Sequence, residues 1–371
     1  MENKVMPKIL QIINSLDMGG AEKLLLETLP LYALENIKVD LLLLNGKDSH
    51  FLNELRKFNN IKIYNLNLNI YNPIILFKII PFFKRYDLIH VNLFPSIYWV
   101  SLAKFISRSK VKLILTEHAV YNKRMSFKLF RIIDRFIYQR FDKIVTISND
   151  VDSAIKKHLG FSKYRFQLIL NGINTKNIYL SKASQDKKIL DFIGPDGKLL
   201  IQVSRFQKQK DQKTLIRAMS LLPSYVKLIL IGDGELRREC ELLSDELQLS
   251  DRVSFLGIRK DIPQLLKLSD VVILSTWYEG LSLSSVEGLA SGKPFIGSDS
   301  PGLREVVRNA GITFPPGDHK LLARHVQSLL LDKVYYDNIA RSCVERSRMY
   351  DVSHMLTQHI DMYCSLYTPG K

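Results

Sequence analysis

Short apolar runs alternate with amphipathic segments along nearly the whole chain, and this rhythm constrains the fold more than any single motif does. A strand that is apolar at almost every position has to be covered on both faces. Strands of that kind interleaved with helices build βαβ units and a parallel sheet. The pattern predicts strands at 8–14, 39–45, 61–66, 87–92, 112–118, 143–148 and 166–170, with helices between them such as 20–34 and 96–107. A second series begins near Lys198, with strands at 199–204, 226–232, 253–256, 271–275 and 294–298. Between the two series, 174–197 is polar and carries Ser181, Ser184, Gly194, Pro195 and Gly197, so it reads as a linker with no core of its own. From about Asp318 the strands stop and helices run to the end. The expected fold class is α/β, with two Rossmann-like, doubly wound domains at 1–173 and 198–350 facing each other across a cleft. Ligands of such sheets bind outside the carboxyl ends of the strands.

Length and composition agree with this division. A chain of 371 residues exceeds one ordinary core. With 46% hydrophobic and 24% charged residues, it is not a disordered polymer. Cys240, Cys343 and Cys364 are odd in number and lack metal-ligand spacing, which argues against a disulfide framework and fits a reducing compartment. Residues 1–15 lack the pattern of a signal peptide, and no apolar run reaches about 18 residues. A cytoplasmic protein is expected. The net charge of +16 is uneven: residues 1–172 hold 26 Lys+Arg against 14 Asp+Glu, a balance of +12, whereas the rest hold 27 against 23, a balance of +4. Either an anionic surface or ligand meets the first half, or a lysine-rich coding bias inflates solvated faces; charge alone does not choose.

Several motifs sit where strands end. Met18-Gly19-Gly20-Ala21-Glu22 follows the first strand and opens a helix, where paired glycines allow close backbone approach and a helix start offers free N–H groups, although a bare tight turn would look the same. Arg205 and Lys210, in Val203-Ser204-Arg205-Phe206-Gln207-Lys208-Gln209-Lys210, reach the rim after the first strand of the second series. A planar fork and a point charge together suit a diphosphate. Gly232-Asp233-Gly234-Glu235 follows the next strand, with Asp233 expected to cap a helix starting near Glu235. The most informative stretch is Glu279-Gly280-Leu281-Ser282-Leu283-Ser284-Ser285-Val286-Glu287. A helix starting near Ser282 leaves the N–H groups of Leu281, Ser282, Leu283 and Ser284 as an anion site, with Glu279 and Glu287 placed to accept hydrogen bonds from sugar hydroxyls. His118 ends a strand of the first half, where a structural and a functional role are equally open.

Asp150-Val151-Asp152 resembles a DxD metal signature but stands at a strand-to-helix junction, where Asp is expected in the cap and first turn. With no Asp/His/Cys cluster at metal spacing, no required metal and no cofactor are expected. Residues 121–141 read as a basic amphipathic helix with Arg124, Lys128, Arg131 and Arg135 on one face, and 70–85 as an apolar segment with basic ends. Such helices lie on anionic membranes at about 1 kcal/mol per basic residue near the surface, or pack on a sheet with a solvated basic edge. Two of them in the more basic half favour peripheral contact with the inner face of a membrane.

Taken in order, these motifs resemble the retaining glycosyltransferases of GT-B fold in glycosyltransferase family 4. The likeness spans the chain: GGAE early, Asn171-Gly172-Ile173-Asn174 at the domain junction, then SRFQKQK, GDGE, the FLG ending at Gly257, EGLSLSSVE, and Gly292-Lys293-Pro294 through Glu305. The resemblance implies that Arg205 and Lys210 bind the donor diphosphate, with Gly19 and Gly20 beside it. It places Glu279 and His118 at the donor sugar and Glu287 at the ribose, and it adds Gly232, Gly257 and Gly280 to the donor site. It also implies that the final helix, about 351–371, packs back on the first domain. Ser282 departs from the Gly or Pro common at its position, which puts the room around the donor sugar in doubt.

The expected reaction is transfer of a hexose or N-acetylhexosamine from a nucleotide-diphosphate sugar, UDP-linked by analogy, to a saccharide acceptor. A lipid-linked acceptor in bacterial surface polysaccharide synthesis fits the basic first half. Two rivals make different demands. A sugar-nucleotide epimerase needs acid and base groups at the sugar ring, for which only His118, Glu117 and Glu279 are candidates. A nucleic-acid-binding protein needs a reading helix, a stacking motif or a zinc site, and the sequence shows none, so no nucleic-acid partner is expected.

Overall fold

In the computed structural model, which describes residues 6–17, 19–160 and 165–367, the chain divides into two units. Unit 1 holds residues 1–172 and 352–371, and unit 2 holds 173–351. Unit 1 is built on strands β1 Ile9–Ile13, β2 Val39–Leu43, β3 Ile63–Asn65, β4 Leu88–Asn92, β5 Lys112–Glu117, β6 Lys143–Thr146 and β7 Phe166–Leu168. Its helices are α1 Gly20–Leu34, α2 His50–Leu55, α3 Ile74–Ile79, α4 Ser96–Ser107, α5 Lys128–Tyr138 and α6 Asn149–Leu159. Unit 2 holds helices α7 Thr175–Leu180, α8 Lys187–Ile193, α9 Gln212–Met219, α10 Arg237–Glu246, α11 Ile262–Leu268, α12 Leu283–Ala290, α13 Arg304–Val307, α14 His319–Leu331 and α15 Lys333–Ser347. Its strands are β8 Lys198–Val203, β9 Val226–Ile231, β10 Val253–Gly257, β11 Val271–Leu274, β12 Phe295–Ser298 and β13 Ile312–Phe314. The last helix, α16 Val352–Leu366, belongs to unit 1.

Both sheets are parallel. Strand order is β3-β2-β1-β4-β5-β6-β7 in unit 1 and β10-β9-β8-β11-β12-β13 in unit 2. Each is doubly wound: the order reverses between β1 and β4 in one and between β8 and β11 in the other, which leaves a crevice at the carboxyl end of each switch. The strands are largely apolar because helices cover both faces. In unit 1, one face packs Leu24, Leu29 and Leu52 with Met355, Met362 and Tyr363 of α16. The other packs Ile75 and Ile79 of α3, Val100 and Ala103 of α4, Ile137 of α5 and Ile155 of α6. In unit 2, Leu215 and Met219 of α9 meet Leu322 and Val326 of α14 over the sheet.

Two expectations need correcting here. Residues 174–197 do not form a coreless linker: α7 and α8 lie there within unit 2, and Ile178 and Ile189 are buried. Polar composition masks two short amphipathic turns. The sixth strand of the second sheet, β13, is absent from the sequence pattern because three residues, Ile312-Thr313-Phe314, carry too little period to register.

Candidate active site

In unit 2 the candidate residues gather at the carboxyl end of the β8–β11 switch. The chain leaves β8 through Ser204 and Arg205, whose side chain is exposed, and turns so that Lys210 bridges Thr276 after β11. Gln212 pins this turn by donating to Ser204 Oγ at 3.0 Å and to the Arg205 carbonyl at 2.8 Å. From the central strand, Gln202 accepts a bond from the Ser275 amide at 3.1 Å. The result is direct contact between two residues expected to serve different parts of a ligand: Lys210 Nζ donates to Glu279 Oε1. Gln209 adds bonds to the Tyr278 carbonyl at 2.6 Å and to Glu279 Oε2 at 3.3 Å. Sequence reasoning gave Gln209 no role, although it lies inside the quoted motif; a polar residue one position before a candidate cation was the available signal.

The backbone of Glu279 is held as firmly as its carboxylate. Its amide donates to the Pro301 carbonyl at 2.8 Å, and Gly302, at φ +76°, passes so close that a Cβ there would lie 2.1 Å from the Glu279 carbonyl oxygen. Only glycine fits that approach. Helix α12 begins four residues later, with Ser282 in the N-cap position but without a capping side-chain bond; its Oγ instead lies 3.0 Å from Ser284 Oγ. Leu281, Ser282 and Leu283 are buried, Gly280 and Ser284 partly so, and Glu287 is buried just over one turn into the helix.

Around the rim, Gly232 and Gly257 both have positive φ, and the Gly232 amide donates to the Gly257 carbonyl at 2.8 Å. A Cβ on Gly232 would meet the Ser204 carbonyl at 2.1 Å, so this glycine lets the β8 and β9 turns touch. Asp233 does not cap a helix as expected. Its Oδ1 accepts from the Gly234 amide at 2.8 Å and its carbonyl from Phe206, while α10 starts only at Arg237. A local turn bond competes successfully with the cap.

In unit 1, Gly19 and Gly20 follow β1, as N-cap and first residue of α1. Met18 lies outside the described residues. A Cβ on Gly19 would meet only the mobile end of the Glu22 side chain, at 2.0 Å, and nothing lies within 4 Å of one on Gly20, so packing demands neither glycine. His118 follows β5, partly buried, with Nε2 3.2 Å from Asn92 Oδ1 at the end of β4. Burial pushes its pKa down to about 4, so the ring is neutral at neutral pH. Its neighbour Glu117 is buried and held by Tyr138 Oη at 2.6 Å, and its carboxyl is raised by desolvation. Asn92 was not singled out from sequence, although a polar residue ending an otherwise apolar strand is a recognisable signal.

The Asp150-Val151-Asp152 stretch lies in the first turn of α6. There Ser148 accepts from the Val151 amide, and Asp152 takes bonds from Thr146 at 3.0 Å and Lys156 at 2.5 Å. The basic segment 121–141 is broken at Phe127, which is extended. Arg124 turns inward to pair with buried Asp134 at 3.0 Å instead of joining the basic face. What remains outward on α5 is both basic and apolar: Lys128, Arg131 and Arg135 beside Leu129 and Ile132, which are 67% and 68% exposed. No helix among the described residues is long and apolar enough to cross a membrane.

Two family models account for most of the chain. One, described as Glycosyltransferase Family 4, matches residues 18–177, and the other, Glycosyl transferases group 1, matches 185–348. The chain belongs to the GT-B glycosyltransferases of family 4. This glycosyltransferase is 26% identical over 316 residues to the Campylobacter jejuni N-acetylgalactosamine-N,N'-diacetylbacillosaminyl-diphospho-undecaprenol 4-alpha-N-acetylgalactosaminyltransferase, covering 81% of this chain and 83% of the relative. It is 27% identical over 273 residues to the N-acetyl-alpha-D-glucosaminyl L-malate synthase of Bacillus anthracis, covering 71% and 70%. Among solved structures, Anabaena HepE in complex with UDP-glucose superposes with a TM-score of 0.83 at 26% identity, over 97% of this chain and all of that one.

Proposed function

We propose that this glycosyltransferase moves a hexose or N-acetylhexosamine from a UDP-sugar to a lipid-linked saccharide, with retention of anomeric configuration and without a required metal, in bacterial surface polysaccharide synthesis. Unit 2 binds the donor and unit 1 the acceptor. The observation that carries the reading is the cluster at the β8–β11 switch, where Lys210 and Gln209 both bond to the Glu279 carboxylate, four residues before α12 begins.

Breaking a bond between sugar and diphosphate requires stabilising the charge that builds on the leaving phosphate. Arg205, Lys210 and the first N–H groups of α12 supply fixed positive ends for it. Lys210 donates to Glu279 in this structure. When a diphosphate arrives, the ammonium is shared with it, and the Glu279 carboxylate becomes available to a hydroxyl of the donor sugar. Glu287 takes the ribose hydroxyls, and Gly232, Gly257 and Gly280 keep the backbone low under the donor. Gly19 and Gly20 contribute to diphosphate binding, and His118 to holding the transferred sugar. Retention follows if the leaving phosphate takes the acceptor proton on the face it departs from, which leaves no task for a separate protein base.

The lipid-linked acceptor is supported by the C. jejuni relative, whose name specifies a diphospho-undecaprenol substrate, and by the outer surface of unit 1. Helices α3, α4 and α5 stand side by side there, exposing Phe77, Phe105, Leu129 and Ile132 among basic residues, with exposed Phe127 at the start of α5. Such a face suits the boundary of an anionic membrane. A melting-temperature screen against nucleoside diphosphates and their sugars tests the donor: at about a hundred times Kd, a ligand of the native state adds about 2.7 kcal/mol. Uridine diphosphate is expected to raise the melting temperature more than guanosine or adenosine diphosphate, and anomeric analysis of the product to show retention. An inverted product, or no response to any diphosphate, would sink the proposal.

A further inference from the structure

We infer that a buried relay of hydrogen bonds starting on α16 fixes the tautomer of His118, placing its proton on Nε2 and leaving Nδ1 as an acceptor for a sugar hydroxyl. The identity of that hydroxyl as the donor sugar's rests on the function proposed above.

The relay begins at Tyr363. Its hydroxyl lies 2.7 Å from His90 Nδ1 and accepts from Gln11 Nε2 at 3.1 Å, and the other nitrogen of His90 lies 2.6 Å from Thr116 Oγ1. Gln11, His90 and Tyr363 are all buried, so each polar atom has to be satisfied by its neighbours. With its nitrogen directed at Tyr363 and His90, Gln11 presents its oxygen the other way, and Asn92 Nδ2 donates to it at 2.9 Å. An amide that gives from nitrogen on one side offers oxygen on the other. Asn92 Oδ1 is the atom facing His118 Nε2 at 3.2 Å, and an amide oxygen can only accept. His118 Nε2 therefore carries the hydrogen. The ring is neutral, so Nδ1 holds a lone pair.

The opposite order cannot arise at His118 alone. Both amides would have to reverse together, Tyr363 would have to turn its proton from His90 to Gln11, and His90 would have to change tautomer. Each partial reversal sets oxygen against oxygen in a buried site. Gln11, Asn92 and Tyr363 are thus positioning residues, and through Tyr363 α16 takes part in preparing His118. The functional consequence is one of polarity: a hydroxyl meeting His118 Nδ1 donates to it, whereas the other tautomer would make the same hydroxyl accept.

The test is 15N NMR of the full chain labelled on histidine ring nitrogens, near neutral pH and without ligand, with the His118 signals assigned by their loss in His118→Gln. A protonated Nε2 and an unprotonated Nδ1 are expected. Gln11→Leu cuts the relay and is expected to move both ring signals toward the average of two exchanging tautomers, with kcat falling about fivefold to tenfold, the loss of one hydrogen bond's worth of alignment. Tyr363→Phe, which keeps the packing of α16, is expected to shift the signals in the same direction by a smaller amount. A proton on Nδ1 in the wild type, or unchanged ring signals in whichever variant folds, would overturn the relay. Undiminished transfer by His118→Gln would overturn the sugar contact, while the ring signals decide the relay separately.

Discussion

Lys210 and Glu279, far apart in sequence, form an ion pair at the carboxyl edge of the second sheet with side chains only 14% and 7% exposed. Each is the other's counter-charge, and in the function proposed above a diphosphate sugar divides them. The pair therefore links stability and activity at one point.

Lys210→Ala leaves the Glu279 carboxylate buried without its ammonium, and removing one member of such a pair typically costs about 3–5 kcal/mol. A lower melting point is expected, together with a loss of transfer on the order of a hundredfold or more. The double variant Lys210→Met with Glu279→Gln is expected to regain most of the stability and none of the activity. Denaturant melts paired with a transfer assay check both, and a Lys210→Ala protein that melts like wild type would show that the pair contributes little.

Arg205 gives the contrasting case. Its side chain is exposed, so Arg205→Ala is expected to change stability by no more than about 0.5 kcal/mol. Transfer should still fall about a hundredfold if, as proposed above, Arg205 acts on the leaving phosphate. Single-turnover consumption of the donor measures this step; near-normal turnover would remove Arg205 from the mechanism.

Unit 1 is expected to weaken on acidification. His359 on α16 is buried, lies 2.8 Å from Tyr32 Oη through Nδ1 and faces His90 and Tyr363; burial pushes its pKa down to about 4. The unfolded chain takes up this proton near pH 6.5, whereas the native state resists it until about pH 4, so stability falls as pH drops through that window. The full effect at His359 is roughly 3 kcal/mol. His90, pushed well below its ordinary range by burial, acts in the same direction. Urea melts between pH 7 and 4 measure the slope, and His359→Gln is expected to flatten it; an unchanged slope would mean that His359 is not the group responsible.

The outward face of α5 yields a prediction about lipid. Replacing Leu129, Ile132 and Phe136 with Ser removes apolar side chains worth roughly 1.5–3 kcal/mol each when fully buried. Flotation with vesicles containing anionic lipid is expected to show at least about a tenfold drop in bound protein, with turnover of a water-soluble acceptor unchanged. Equal flotation of both proteins would place any membrane contact elsewhere.

Much of the architecture was legible because it is written locally. A strand buried on both faces has to be apolar at successive positions, so the core strands from β1 to β12 could be read within a residue or two of where they lie. The turns after β8 and β11 could be read as candidate sites because basic residues follow one strand end and a glycine and a helix start follow the other. Legibility failed where the local signal was short or ambiguous: three residues of β13, the small helices α7 and α8, and Arg124, whose helical spacing pointed to solvent while Asp134 drew it inward.

What the sequence determined by itself was the period of the backbone elements and the chemistry available at their ends. What only the tertiary structure decided was which polar group answers which: Lys210 to Glu279, Asn92 to His118, Gln11 to Tyr363 across almost the full length of the chain. The reason is physical. Periodicity follows from bond geometry within a few residues, but a buried donor or acceptor is satisfied by whatever the folded chain brings within about 3 Å, and that is settled only when the strands have taken their order in the sheet.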